Sequence, residues 1–330
     1  MEFKENLFGK KVLIVGGLGF IGSNLARRLA ALEAQISIVD ALVPEQGGNR
    51  YHSNGLLDRV KVTITDVRDE RRLLPLVEGQ DYLFHLAGQT SHLDSMRDPC
   101  ADLEMNCRST LAVLEAVRKS GGKTKIVFAS TRQIYGIPEA LPVCESHPLT
   151  PVDINGIHKM AAEWYHRVYH RVYGIPVAII RLVNTYGPRM RIKDARQTFL
   201  GDWIRRLLKN EEILVFGDGS QLRDFTYVDD ALEALLLAAC REEASGQIFN
   251  LGGDQPISLK DLADLLIRIN GSGRCQRVHF PDELKAIDIG DFYADTSSIR
   301  SKLGWIPRVD LQQGLLKTLD YFRAHGGYYL

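Results

Sequence analysis

Residues 12–40 read VLIVGGLGFIGSNLARRLAALEAQISIVD, and this stretch decides the fold. Its first four residues, Val12–Val15, are apolar throughout, as in a strand covered on both faces. Glycines follow at 16, 19 and 22, and an amphipathic helical pattern opens at once over Gly19–Glu33. Glycines at such a junction permit a tight turn, let backbone N–H groups approach a phosphate and let the helix pack close to the sheet, while the helix N-terminus favours the anion. A second apolar strand, Ile36–Val39, ends in Asp40, about 20 residues after the glycines. A carboxylate there accepts hydrogen bonds from both hydroxyls of a ribose and repels a 2′-phosphate. The expectation is a dinucleotide site for NAD rather than NADP, with Gly16, Gly19, Phe20, Ile21 and Gly22 forming the turn and Asp40 on the ribose. The competing reading puts the glycines and the acid in ordinary surface turns.

Outward from this stretch, short apolar runs alternate with amphipathic ones as far as Leu182. Strands are expected at Val12–Val15, Ile36–Val39, Val60–Ile64, Tyr82–Leu86, Ile126–Ala129 and Val177–Leu182, with helices at Gly19–Glu33, Asp102–Lys119 and Asn155–Tyr173. This is the rhythm of an α/β fold, a doubly wound parallel sheet of the Rossmann kind. Asp66 and Val67 follow the third strand and are candidates for the adenine edge. Leu86, Ala87 and Gly88 end the fourth strand, where a ligand resting on the carboxyl ends of the strands passes. For each of these the alternative is a plain strand-end turn. After Leu182 the rhythm breaks into a Gly-, Arg- and Asp-rich excursion, Tyr186–Asp224, with a helix near Ala195–Lys209. A helix near Asp229–Arg241 and a strand near Gln247–Leu251 return to the sheet, and helices near Ser258–Ile269 and Leu311–Arg323 follow. The expected division is a Rossmann domain of residues 1–184 and 224–253, and a smaller C-terminal α/β substrate lobe of residues 185–223 and 254–330.

Lys+Arg and Asp+Glu both number 41 in the 330 residues, so no net charge draws the chain to nucleic acid or anionic lipid. Five cysteines form no CxxC pair, which reads as structural thiols in a reducing compartment. The segment Met1–Lys10 is polar and runs straight into a strand without a leader's apolar core. The longest apolar run, Ala234–Cys240, is far below the roughly 18 residues that a membrane span needs. These features predict a cytoplasmic protein with no membrane, nucleic-acid or metal partner.

Several further stretches carry a family resemblance: HLAGQ at 85–89, the Asn106 region, STRQIYG at 130–136, RLVNTYGP at 181–188, GDGSQLRDFTYVDD at 217–230 and ADTSSIRSKLGWIP at 294–307. With the glycine motif, they make the chain resemble the extended short-chain dehydrogenase/reductase family of nucleotide-sugar epimerases and dehydratases over nearly its whole length. The resemblance implies a nucleotide-diphosphate sugar substrate, with Asn184 and Arg223 on the diphosphate and Gln89 near the sugar. It implies Asn106 and Lys159 on the cofactor side, Thr131 on the reacting hydroxyl, and a homodimer formed by the helices near Asp102–Lys119 and Asn155–Tyr173. Packing of Leu103, Leu111, Leu114, Trp164 and Val168 into the core is the competing account of those helices.

The chain departs from the family pattern in three places. Relatives carry Tyr-x-x-x-Lys; here the helix reads Asn155-Gly156-Ile157-His158-Lys159, so the lysine is kept and the phenol is lost. Asn155 can hold a hydroxyl or a water but cannot act as a base near neutral pH. Thr131, Tyr135, His158, Lys159 or an ordered water are the alternatives for the proton. Dehydratases of this kind have Asp-Glu after the Ser-Thr pair and decarboxylases keep a Glu; this chain has Arg132 and Gln133, which argues against dehydration. Arg132 is then either a carboxylate clamp for a uronic acid sugar or a surface arginine. Asp288 replaces an arginine that relatives place on the diphosphate, so either the nucleotide sits differently or Arg223, Arg191 or Arg274 holds that group. The leading expectation is an NAD-dependent nucleotide-sugar epimerase acting through a transient keto-sugar. The alternatives are a decarboxylase or oxidoreductase on the same substrate class, or a protein that binds NAD and sugar nucleotide without turnover.

Overall fold

A computed structural model describes residues 3–56 and 58–330 of the chain; Met1 and Glu2, at the start of the polar N-terminal segment, lie outside them. Its centre is a seven-stranded parallel sheet. The strands are β1 (Lys11–Val15), β2 (Gln35–Asp40), β3 (Val60–Ile64), β4 (Tyr82–His85), β5 (Lys125–Thr131), β6 (Val177–Leu182) and β7 (Ile248–Asn250), in the spatial order β7-β6-β5-β4-β1-β2-β3. Every strand expected from the sequence is present in it. The helices that matter here are α1 (Phe20–Ala31), α2 (Glu70–Val77), α3 (Ser109–Lys119), α4 (Ile154–Tyr173), α5 (Phe199–Leu208), α6 (Val228–Cys240), α7 (Leu259–Asn270) and α8 (Leu311–His325).

Strand side chains alternate between the two faces, and both faces are covered. Val12, Ile14, Ile36, Ile38, Phe84, Val127 and Ile180 share one core with Leu25 and Leu29 of α1 and Leu232 and Leu235 of α6. Their neighbours Leu13, Val15, Val39, Leu83, Ile126, Phe128 and Ile179 pack on the other face with Leu73 of α2, Val113 and Val117 of α3 and Ala162 of α4. Double coverage is why these strands are apolar at consecutive positions. The strand order reverses between β1 and β4, so the chain leaves neighbouring strands in opposite directions and opens a crevice at their carboxyl ends.

Two helices differ from expectation. The helix expected over Asp102–Lys119 is interrupted: Pro99–Leu103 is α-helical, Glu104–Arg108 is a π-turn, and α3 then begins. The wide turn carries Asn106, whose buried side chain donates to the Gln89 carbonyl (3.3 Å) and to Asp102 (3.0 Å); such bulges collect at functional sites. The helix expected from Ala195 starts only at Phe199, because Thr198 caps it and residues 191–196 are drawn into ion pairs. Three pairs of short strands, 184–186 with 225–227, 222–223 with 257–258 and 213–216 with 275–278, escaped sequence reading, being two to four residues long. Among the described residues no helix is long and apolar enough to cross a membrane.

Candidate active site

The crevice at the end of β1 is lined by Gly16, Gly19, Asp40, Asp66, Val67, Leu86, Ala87 and Gly88, joined by Met105 and Ser109. Gly16 has φ +85°, and a Cβ there would lie 2.7 Å from the Ala87 nitrogen, so β1 and β4 approach as closely as they do only with glycine at this point. The first turn of α1 has no capping side chain, so its N–H groups remain available to an anion. Phe20 and Gly22 are buried behind the turn and shape it without lining the crevice, and Ile21 packs against the core. Asp40 accepts from the amides of Leu18 (2.9 Å) and Leu42 (2.8 Å). Burial pushes its carboxyl up, and these two bonds oppose the shift. Each oxygen keeps a further lone pair for a ribose hydroxyl. Asp66 reaches the rim with its carboxylate on Arg68 (2.6 Å), which also pairs with Glu104 (2.8 Å). The glycine cradle, the uncapped helix and the buried carboxylate together fit an adenine dinucleotide without a 2′-phosphate. Sequence reasoning missed Met105 and Ser109, which flank Asn106 on the π-turn and at the start of α3.

Deeper along the sheet, α4 starts with Asp153, which caps the amide of Gly156 at 2.6 Å. The turn that follows buries Asn155, and its side-chain amide donates to the Gln89 carbonyl (2.8 Å), to Gln89 Oε1 (3.2 Å) and to Asp102 (3.0 Å). Asp102 also receives Asn106 (3.0 Å) and His158 Nδ1 (2.7 Å). Asn155 therefore has only its carbonyl oxygen left to offer a ligand, and His158 is tied into the same polar cluster. Lys159 is buried, 5.3 Å over the Phe128 ring, and no atom of the described residues accepts a hydrogen bond from its Nζ. Burial lowers its pKa to about 8 against the opposing pull of Asp102. A Cβ on Gly88 would meet both Lys159 Nζ (2.7 Å) and the unpartnered Asn106 Oδ1 (2.6 Å), so the ammonium stands at the edge of the crevice that ends β4. Tyr135 is fully buried between Asn250 and Arg181, a packing position. Asp102, absent from the sequence-based candidates, is the hub of this cluster; it precedes Asn106 by one helical turn, which was its only local signal.

Thr131 ends β5, and its Oγ1 accepts the Gln133 amide at 3.3 Å. Gln133 turns away from this point, its side chain donating to Asp153 at 2.7 Å. Arg132 donates to Asn184 Oδ1 at 3.1 Å, lies 5.4 Å over the Phe292 ring, and has a buried Nη1 with no partner. Asn184 is occupied at both ends, its amide donating to the Asp224 carbonyl at 2.9 Å. Arg223 is buried and paired with Asp288 at 3.0 Å, and its Nη1 also bonds the carbonyls of Leu222 and Gly290. Asp288 thus holds Arg223 in place by a direct ion pair. Arg191 is engaged by Asp194 (2.5 Å) and Glu45 (2.9 Å), and Arg274 is exposed. Asp224, missed in the sequence although it stands as an acid before the apolar strand FTY, is buried with its carboxyl pushed up to about 6. Among the described residues no group of three or more His, Cys, Asp and Glu is placed to hold a metal ion.

Residues 12–252 match the sequence model of the NAD dependent epimerase/dehydratase family. A putative UDP-glucose 4-epimerase of Methanocaldococcus jannaschii is 33% identical over 313 residues, covering 94% of this chain and 98% of that one. UDP-glucuronic acid decarboxylase 1 of Xenopus tropicalis is 32% identical over 328 residues, covering 98% of this chain and 74% of that one. The crystal structure of UDP-glucose 4-epimerase from Thermotoga maritima with UDP-glucose matches with a TM-score of 0.88 at 31% identity, covering 96% of this chain and 99% of that one.

Proposed function

Because the chain belongs to the NAD dependent epimerase/dehydratase family, we propose that it is a redox-neutral epimerase that inverts one carbon of a nucleotide-activated sugar through a transient ketone. NAD, when bound, supplies reversible hydride uptake and return. The chain's own residues orient the sugar and move a proton. Thr131 bonds the reacting hydroxyl. Lys159, with an unbonded Nζ and a pKa of about 8, takes that proton directly or through a water and gives it back. Asn155 contributes its carbonyl oxygen as an acceptor where relatives use a phenol. In this reading residues 1–184 and 224–253 hold the cofactor through Gly16, Gly19, Asp40, Asp66 and Val67, while residues 185–223 and 254–330 hold the sugar nucleotide.

One observation carries epimerisation over dehydration. Elimination of water needs an acid and a base beside the leaving hydroxyl, and the two residues after Thr131 supply neither: Gln133 is bound to Asp153, and Arg132, at a pKa of about 10, stays charged at neutral pH. The deciding experiment incubates the NAD-loaded protein with UDP- and dTDP-hexoses and the corresponding hexuronates and follows mass, NMR and nicotinamide absorbance. A sugar of unchanged mass and inverted configuration is expected. Loss of water, loss of carbon dioxide or net NADH would each replace the reading with dehydratase, decarboxylase or oxidoreductase, and an inert panel would leave a binding protein.

The assembly we propose is a homodimer. Leu114 belongs to the core, but Leu103, Ile157, Trp164, Val168 and Val172 form an exposed apolar face beside and along α4, and a second copy would cover it. The five cysteines are free thiols, which suits a reducing cytoplasm.

A further inference from the structure

Among the described residues the guanidiniums of Arg181 and Arg223 are buried and that of Arg132 is partly buried, and they are treated differently. Arg181 pairs with Glu163 at 2.8 Å and Arg223 with Asp288 at 3.0 Å. Arg132 has no carboxylate within 4.0 Å among the described residues; its one hydrogen bond goes to the neutral Asn184 (3.1 Å), and its Nη1 is shut from solvent with no partner. Burying a cation without an anion is costly, and so is burying an N–H donor without an acceptor. The carboxylate that acts most strongly on it, Asp224, makes no ion pair with it and has an unpartnered Oδ1. Arg132 remains protonated at neutral pH, even though burial and the neighbouring Arg223 both act to discharge it.

We infer that Arg132 is the receptor for a carboxylate on the sugar, so that the substrate class is a nucleoside-diphosphate hexuronate. This rests on the nucleotide-sugar reading above, because the argument for the sugar end is position. Arg132 follows Thr131 directly, at the mouth of β5, bonds Asn184 and lies over the Phe292 ring, and Asp153, Arg223, Asp224 and Asp288 all act on its charge. It therefore stands between the proton-transfer residues and the C-terminal lobe, where the sugar ring would lie. A guanidinium presents parallel N–H groups to a carboxylate in one plane. Arg132 as a whole is only partly buried, so a sugar carboxylate can reach the open part of the guanidinium beside the enclosed Nη1, and its negative charge offsets both the uncompensated charge of Arg132 and its repulsion with Arg223.

The test is calorimetric binding to the NAD-loaded protein of UDP, UDP-glucose and UDP-glucuronic acid, with the dTDP series alongside, for wild type, Arg132→Met and Arg132→Gln. Wild type is expected to prefer the uronate over the neutral hexose by about 10-fold or more, as a charged hydrogen bond gained on binding implies. Both variants are expected to lose that preference while keeping their affinity for the neutral hexose within about twofold. Both should also melt no lower than wild type without ligand, since they remove an uncompensated charge. A wild type indifferent to the carboxylate overturns the inference. So does an equal loss of affinity for UDP, neutral sugar and uronate in the variants, which would put the guanidinium on the diphosphate. If wild type binds neither UDP nor dTDP, it is the nucleotide-sugar reading that fails.

Discussion

The side chain of Asn155 donates to the carboxylate of Asp102 at 3.0 Å, across 53 residues of sequence. Asn155 is thus part of a buried polar cluster whose other donors are Asn106 and His158. Replacing it with aspartate would set two carboxylates against each other in a dry site, and one would keep its proton. A carboxyl whose folded pKa is raised stabilises the fold only while protonated, so Asn155→Asp should lose stability as pH rises from 5 to 8, by up to about 1.4 kcal/mol per pH unit. Urea melts at the two pH values measure this; parallel behaviour of variant and wild type would mean the pair is solvated.

Lys159 is held at a pKa of about 8 against an ordinary 10.5. The folded state binds fewer protons than the unfolded chain between those values, so stability rises with pH across that window. Lys159→Met should therefore raise the melting temperature of the ligand-free protein at pH 7 and lose the advantage by about pH 10. Lys159→Arg keeps the charge but cannot release a proton, and turnover should fall about 100-fold or more, as for loss of a general base. Equal turnover by wild type and the arginine variant would remove the lysine as the base.

Asp40 binds two backbone amides and faces the crevice. Its replacement by serine should weaken NAD about 10-fold, the worth of a charged hydrogen bond to the ribose, and bring NADP closer to parity. Fluorescence titration with both dinucleotides reads the ratio; an unchanged preference would place the ribose elsewhere.

Asp224 has its carboxyl pushed up to about 6 by burial, from an ordinary 3.8. The folded state holds that proton more tightly than the unfolded chain, so its contribution falls as pH rises from 3.8 through 6. Asp224→Asn should therefore stabilise the protein at pH 7.5 and not at pH 4.5, by about 1 kcal/mol or more, as read by thermal melts.

Trp164 is 49% exposed in the middle of the apolar face of α4. Trp164→Glu should convert a dimer to a monomer in size-exclusion chromatography with light scattering, with the sheet and cofactor binding intact. A monomeric wild type would leave that face without the proposed partner.

Much of this architecture could be read locally. The GxxGxxG turn, Asp40 at the end of β2 and the apolar strands report on backbone geometry within a few residues, and the sheet follows from them. The break in the helix at Glu104–Arg108 could not be read, because the apolar spacing continues through it and Asn106 within it bonds Gln89, 17 residues away in sequence. The two-residue strands carry no period to detect. For Asn184 and Arg223 the residue types were evident, but their engagement by Arg132, Asp224 and Asp288 was not.

The sequence by itself determined a doubly wound NAD-binding fold and the spacing of Asn155 and Lys159 one turn apart on one helix, since each is a matter of residue type and short-range spacing. Only the tertiary structure decided that Asn155 spends its amide on Asp102 and Gln89, that Asp288 neutralises Arg223, and that Arg132 is left without an anion. The reason is electrostatic: whether a buried charge is satisfied depends on which distant segments deliver its partners, and hydrogen bonds act over about 3 Å in space regardless of separation along the chain.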